Sequence, residues 1–172
     1  PSKQKVALKP YFYSMGIQHN IKELKSSLPP EVSLVAVSKT KPVSDLLEAY
    51  QAGQRIFGEN KIQEMVSKWE QLPKDIQWHM IGHVQTNKVK YMAPFVHTIH
   101  AVDRIKLLKE IQKQAEKNER IINCLIQIRI AEEDTKFGLA ASELDAILDA
   151  ASSSNHDNIK VLMGMATFTS NA

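Results

Sequence analysis

The sequence predicts an α/β fold built on a parallel sheet, and three observations carry that prediction. From Gly16 onward, short β-rich runs alternate with amphipathic stretches. The first four strand candidates start at residues 32, 55, 76 and 97, so successive starts are 23, 21 and 21 residues apart. That period holds one strand, one helix and two short loops, as repeated βα units with parallel strands require. In the intervening stretches apolar residues recur at helical spacing, which gives each helix one face to bury against a sheet.

Taken in order, a first helix is marked by Ile17, Ile21, Leu24 and Leu28, and Pro29 with Pro30 stops it, because proline lacks the N–H and clashes with the preceding turn. Strand candidates follow at 32–39, 55–58, 76–82, 97–102, 122–130 and 160–165. Between them, helices are marked by Val43, Leu46, Leu47 and Tyr50, by Ile62, Met65, Val66 and Trp69, and by Leu144, Ile147, Leu148 and Ala151. Each set follows or approaches the i, i+3, i+4, i+7 stripe of a half-buried helix. Pro42 suits the start of the helix through Leu46, and Gly53 suits its left-handed end. The stretches 84–92 and 105–115 also read as helical.

Alternating βα units leave two main architectures, an open doubly wound sheet or a closed (β/α)₈ barrel. Six units are countable. A barrel takes roughly 250 residues, and seldom fewer than about 200, so as a barrel this chain is expected to stop before the last two strands. The run 168–172 reads as the start of a further helix.

Composition narrows the function. With 172 residues, 43% hydrophobic and 24% charged, the chain has the make-up of one soluble domain. No apolar run approaches the roughly 20 residues of a membrane span, and the given sequence does not open on a charged stretch followed by an apolar core as a signal peptide would. The single cysteine, Cys124, excludes an internal disulfide framework and suits a reducing cytoplasm. The net charge of +3 is local: Lys3, Lys5 and Lys9 lie in residues 1–15, which hold no acid, and the 19 remaining basic residues match 19 acidic ones. A neutral body with 6% aromatics argues against a general nucleic-acid binder. Residues 1–15 are set apart as an arm or leader, and 16–172 as the domain.

The six glycines form neither a G-x-G-x-x-G fingerprint nor a P-loop, which removes the main support for nucleotide binding. Gly58, Gly82 and Gly164 fall at or near the ends of predicted strands, where a missing side chain lets a ligand approach the backbone. In Val35-Ala36-Val37-Ser38-Lys39-Thr40-Lys41-Pro42, alternation places Lys39 on the face of Val35 and Val37, at the C-terminal end of the strand. A lysine in apolar surroundings loses part of its preference for the charged form, and its neutral amine can form a Schiff base with an aldehyde. The plain alternative is a lysine that snorkels from the strand end. Four histidines lie at 79, 83, 97 and 100, but His97 and His100 are three apart on a predicted strand and are expected on opposite faces, so no metal site is predicted. Cys124, in an apolar run, reads as a small buried hydrophobe.

Five segments together resemble one family. They are the Lys39 segment, Phe57-Gly58-Glu59-Asn60 with Gln63-Glu64, Trp78-His79-Met80-Ile81-Gly82-His83-Val84-Gln85-Thr86-Asn87-Lys88, Glu133-Asp134-Thr135-Lys136-Phe137-Gly138, and Leu162-Met163-Gly164-Met165-Ala166. In that order they resemble the pyridoxal 5′-phosphate homeostasis proteins, the YggS or proline-synthetase co-transcribed type, from about Gly16 to the last residue. The resemblance implies a (β/α)₈ TIM barrel of the pyridoxal-phosphate-binding type, related to the N-terminal domain of alanine racemase and here truncated after about six units. It implies pyridoxal 5′-phosphate (PLP) as cofactor, held through a Schiff base on Lys39, and a carrier or buffer of that cofactor without turnover chemistry of its own.

Other roles follow from the same resemblance. Asn60 and His79 are expected at the mouths of the second and third strands, within reach of the cofactor ring; a helix cap and a hydrogen-bonded strand histidine are their plain alternatives. Met163 is expected against the ring with Gly164 beside it, and Lys136 near the phosphate. The implied partners are PLP itself and the apo-enzymes that use it, with no nucleic acid or membrane, and a monomer in the full-length form. The family's phosphate loops and an arginine facing the pyridine nitrogen belong to its last units, beyond Ala172. The competing readings are a PLP-dependent racemase, which needs an acid–base pair and a second domain, and an aldolase that shares only the Schiff-base lysine.

Overall fold

In the computed structural model, residues 16–130, 138–152 and 157–165 are described. The βα alternation resolves into α1 (Ile17–Ser27), β1 (Ala36–Val37), α2 (Val43–Gln51), β2 (Ile56–Glu59), α3 (Ile62–Gln71), β3 (Gln77–Met80), α4 (Val89–Met92), β4 (Val96–Val102), α5 (Ile105–Lys117), β5 (Ile122–Arg129), α6 (Leu144–Ser152) and β6 (Asp157–Met165). All six strands are parallel, and they lie side by side in chain order, β1 to β6. A doubly wound sheet reverses its order at a switch point. This one does not, so right-handed crossovers put every helix on the same face, as in a barrel wall.

Register sorts the side chains onto two faces. Ala36, Phe57, Trp78 and Val96 are aligned across β1 to β4, and Glu59, Met80, Ile99 and Cys124 across β2 to β5. These rows face the helices and, apart from half-buried Ala36, are buried, packing with Leu46, Met65, Met92, Leu107 and Ile111 into the core. Burying one such large apolar side chain contributes about 1.5–3 kcal/mol. The opposite row, Val37, Gly58, His79, Thr98 and Asn123, lines the face turned away from the helices.

Three local expectations change. β1 is two residues long rather than spanning 32–39; among the described residues it pairs on one side only, and although Ser38 N–H still reaches the Gly58 carbonyl, the chain then turns. The 84–92 helix shrinks to a 3₁₀ turn, Thr86–Lys88, and the single turn of α4. Arg104 explains this: its guanidinium takes the Val84 carbonyl at 2.8 Å and the Thr86 hydroxyl at 3.3 Å, which fixes that segment outside a helix. β6 begins earlier than expected, because β5 offers it eight aligned partners, from Ile122 to Arg129.

Candidate functional site

Lys39 occupies the second position of a tight turn, in which Lys41 N–H donates to the Ser38 carbonyl at 3.0 Å. The third position is Thr40, with φ +64°. That left-handed conformation costs a residue with a Cβ roughly 1–2 kcal/mol, and a β-branched one is rarely found there. The turn persists because side chains hold both of its flanks. Thr40 N–H donates to Glu64 Oε1 at 2.7 Å, and Ser38 Oγ donates to Glu59 Oε1 at 2.6 Å.

Between the two carboxylates stands Lys68, a lysine on the buried face of α3 and only 5% exposed. Its ammonium donates to the Ser38 carbonyl at 2.8 Å, to Glu59 Oε1 at 2.7 Å and to Glu64 Oε1 at 2.7 Å. An ammonium has three protons, so Lys68 is fully used. Glu59 is fully buried. The hydrogen bond from Lys68 holds the Glu64 carboxyl below its ordinary range; desolvation opposes it, and the hydrogen bond from Thr40 N–H adds a further lowering.

Lys39 itself is exposed, as is Val37 at 54%. The apolar surroundings expected from strand alternation are therefore absent. Val37 lies on an edge strand whose neighbour among the described residues is β2, while Val35 is half-buried against Gly58 of that strand.

Asn60 and His79 come from the next two strands. Asn60 directly follows β2, and its backbone lies so close to Gly82 that a Cβ on Gly82 would stand 2.4 Å from the Asn60 carbonyl oxygen. Gly82 thus makes room for the chain itself, where the sequence suggested room for a ligand. His79 Nδ1 lies 2.9 Å from His100 Nε2, and its ring stacks on His97 with centroids 5.5 Å apart. Burial, then the neighbouring His100 and His97, push the His79 imidazole down to about 3, so it is neutral at physiological pH. Two buried side-chain atoms here, Asn60 Oδ1 and His79 Nε2, lack a hydrogen-bond partner. Such atoms are costly unless something satisfies them.

The expectation that His97 and His100 face opposite ways fails, since both rings contact His79. The cause is irregular pairing in β4: its register slips once against β3, between Trp78 and His79, and once against β5, between Ile99 and Val102. Each extra residue breaks the two-residue period. Among the described residues, no three His, Cys, Asp or Glu side chains gather as a metal site would require. Met163 and Gly164 lie in β6, aligned with Gln127 and Ile128, with β2 to β5 separating them from Lys39 along the sheet. Lys136 lies outside the described residues. The sequence reading missed Lys68 and His100; the signal for Lys68 was Glu59, an acid on the helix-facing side of β2 that demands a cation nearby.

Comparison with known proteins adds three findings. The family model for the alanine racemase N-terminal domain matches residues 15–171. The chain is 35% identical over 170 residues to the pyridoxal phosphate homeostasis protein of Haemophilus influenzae, covering 91% of this chain and 72% of that protein, and 34% identical over 163 residues to that of Escherichia coli K12, covering 87% and 70%. Among solved structures, PipY of Synechococcus elongatus PCC7942 superposes with a TM-score of 0.84 without PLP and 0.82 with PLP bound. Both are 34% identical, and the alignments cover 89–90% of this chain and 72–73% of PipY. Alanine racemase from E. faecalis, 15% identical with a TM-score of 0.67, shares the fold. The six strands are accordingly a curled, open stretch of a barrel wall.

Proposed function

The chain belongs to the alanine racemase N-terminal domain family and, within it, to the pyridoxal phosphate homeostasis proteins, and from that premise we propose that it binds PLP through Lys39 and carries or buffers it for apo-enzymes. The observation that carries the reading is the placement of Lys39. Its amine is exposed on a braced, strained turn at the C-terminal end of β1, and two unsatisfied buried polar atoms lie at the ends of the next two strands. The C-terminal ends of the strands are where barrels bind ligands.

These residues fit the cofactor. PLP supplies an aldehyde, whose carbon a primary amine attacks with loss of water. Lys39 supplies that amine. Asn60 Oδ1 and His79 Nε2 would meet polar substituents of the ring, His79 as a neutral group held by His100. Met163 would cover the ring beside Gly164, and Lys136 would draw the phosphate. The cofactor's presence in PipY and the homeostasis names of the relatives support a binding role.

The test is covalent. PLP added to the chain should produce a visible imine absorption band, and borohydride should then fix the cofactor on the peptide containing Lys39. Lys39→Ala should abolish the band. A main adduct on Lys41 or Lys136, located by tandem mass spectrometry, would refute the assignment. Optical rotation of L-alanine should stay constant in the presence of the loaded chain; a decline would replace the carrier reading with a racemase.

A further inference from the structure

The braced turn contains a device that the family assignment does not supply. We propose that Glu64 and Lys68 are positioning residues for Lys39: they clamp the backbone on both sides of it and so present its amine at a fixed point on the sheet edge. This rests on the reading of Lys39 as the PLP-binding amine.

Three observations carry the proposal. Every bond of the clamp lands next to Lys39: the Ser38 carbonyl and hydroxyl precede it and the Thr40 N–H follows it, with heavy-atom distances of 2.6–2.8 Å. The clamp grips a residue with φ +64° that is not glycine, so the turn needs external support. Lys68 is buried with its three donors all committed, one of them to the turn backbone and two to the carboxylates that hold its flanks.

A stability role alone does not account for this arrangement. A buried ion pair is weak evidence for stability, because apolar side chains of similar volume often serve as well. What apolar side chains cannot do is hold a carbonyl and an amide on opposite sides of one residue. The cost of leaving that residue loose is kinetic, since an amine that samples many positions meets an aldehyde in reactive geometry less often.

Glu64 is the residue to test, because its side chain is 25% exposed and its removal leaves the Lys68–Glu59 pair intact. The variants are Glu64→Ala, which removes the acceptor for Thr40 N–H, and Glu64→Gln, which keeps one. Three quantities are compared with the unmodified chain: hydrogen exchange at the Thr40 amide, the rate of borohydride-trapped labelling of Lys39 by PLP, and affinity for pyridoxine 5′-phosphate, which lacks the aldehyde. Losing a hydrogen bond to a charged acceptor should speed Thr40 exchange about tenfold or more in Glu64→Ala. Labelling should slow about tenfold while pyridoxine phosphate affinity stays within about twofold, and Glu64→Gln should recover most of both losses.

Equal Thr40 exchange in Glu64→Ala and the unmodified chain overturns the clamp. So does labelling as fast in Glu64→Ala as in the unmodified chain, or affinity for pyridoxine phosphate that falls in step with labelling. If the unmodified chain is never labelled at Lys39, the proposed function fails, and the clamp is then judged on Thr40 exchange alone.

Discussion

His79 illustrates how one side chain ties the site to folding. Its Nδ1 is engaged with His100, its ring is stacked on His97, and burial holds it neutral down to about 3. An unfolded histidine titrates near 6.5. Between those values the unfolded chain binds a proton at this position that the folded chain refuses. The contribution of His79 is therefore complete above pH 6.5 and is lost as pH falls toward 3. Glu64 behaves alike in a lower window: its carboxyl is held below the ordinary range by Lys68, so its contribution is present above that range and lost in stronger acid. Replacing His79 with Gln should remove about one proton from the uptake on unfolding between roughly pH 4.5 and 6. Denaturant titrations across that interval measure the uptake as the slope of stability against pH. An unchanged slope in the variant would mean that His79 is protonated in the folded chain.

At the scale of elements, helix ends separate what was legible from what was not. α2 ends in a paired cap, with Gly53 N–H on the Tyr50 carbonyl and Gln54 N–H on the Ala49 carbonyl, and Gly53 at φ +88°. α5 ends in the same bonding pattern, Glu119 to Glu116 and Arg120 to Ala115, but an exposed Glu119 takes the left-handed position at φ +52°. A glycine announces such a turn and a glutamate does not, so only the first cap was readable. Glu119→Gly should raise stability by about 0.5–1 kcal/mol, the relief of left-handed strain less the flexibility that glycine adds to the unfolded chain. An unmoved or lowered denaturation midpoint would show that the strain at Glu119 is already compensated. The strands follow the same logic. Simple alternation in β2 correctly separates Phe57 and Glu59 from Gly58, whereas the two slips in β4 hide the approach of His100 to His79. Lys68 escaped notice because it lies on the buried face of α3 and two of its three partners, Ser38 and Glu59, come from outside that helix.

Over the whole molecule, strand order in sequence and helices on one face make a barrel wall, and six strands leave that wall open among the described residues. Its two edges are not equivalent. β1 is two residues long and ends in the clamped turn, and an edge that short offers little to pair with. β6 runs for nine residues, its pairing partner within the described sheet is β5, and Leu162 on it is 51% exposed. A long edge with unpaired N–H and C=O groups and an apolar side chain invites pairing with another chain, and natural sheets blunt such edges with lysine. The 172-residue chain should therefore associate as its concentration rises, with β6 as the adhesive edge. Leu162→Lys should move the midpoint of association to about tenfold higher concentration, since desolvating an ammonium at the contact opposes pairing by about 1.4 kcal/mol or more. Light scattering over a dilution series reads the mass directly, and the same series with Val37→Lys serves as the comparison for β1. Identical mass curves for Leu162→Lys and the unmodified chain, or a larger effect from Val37→Lys, would place the contact somewhere other than β6.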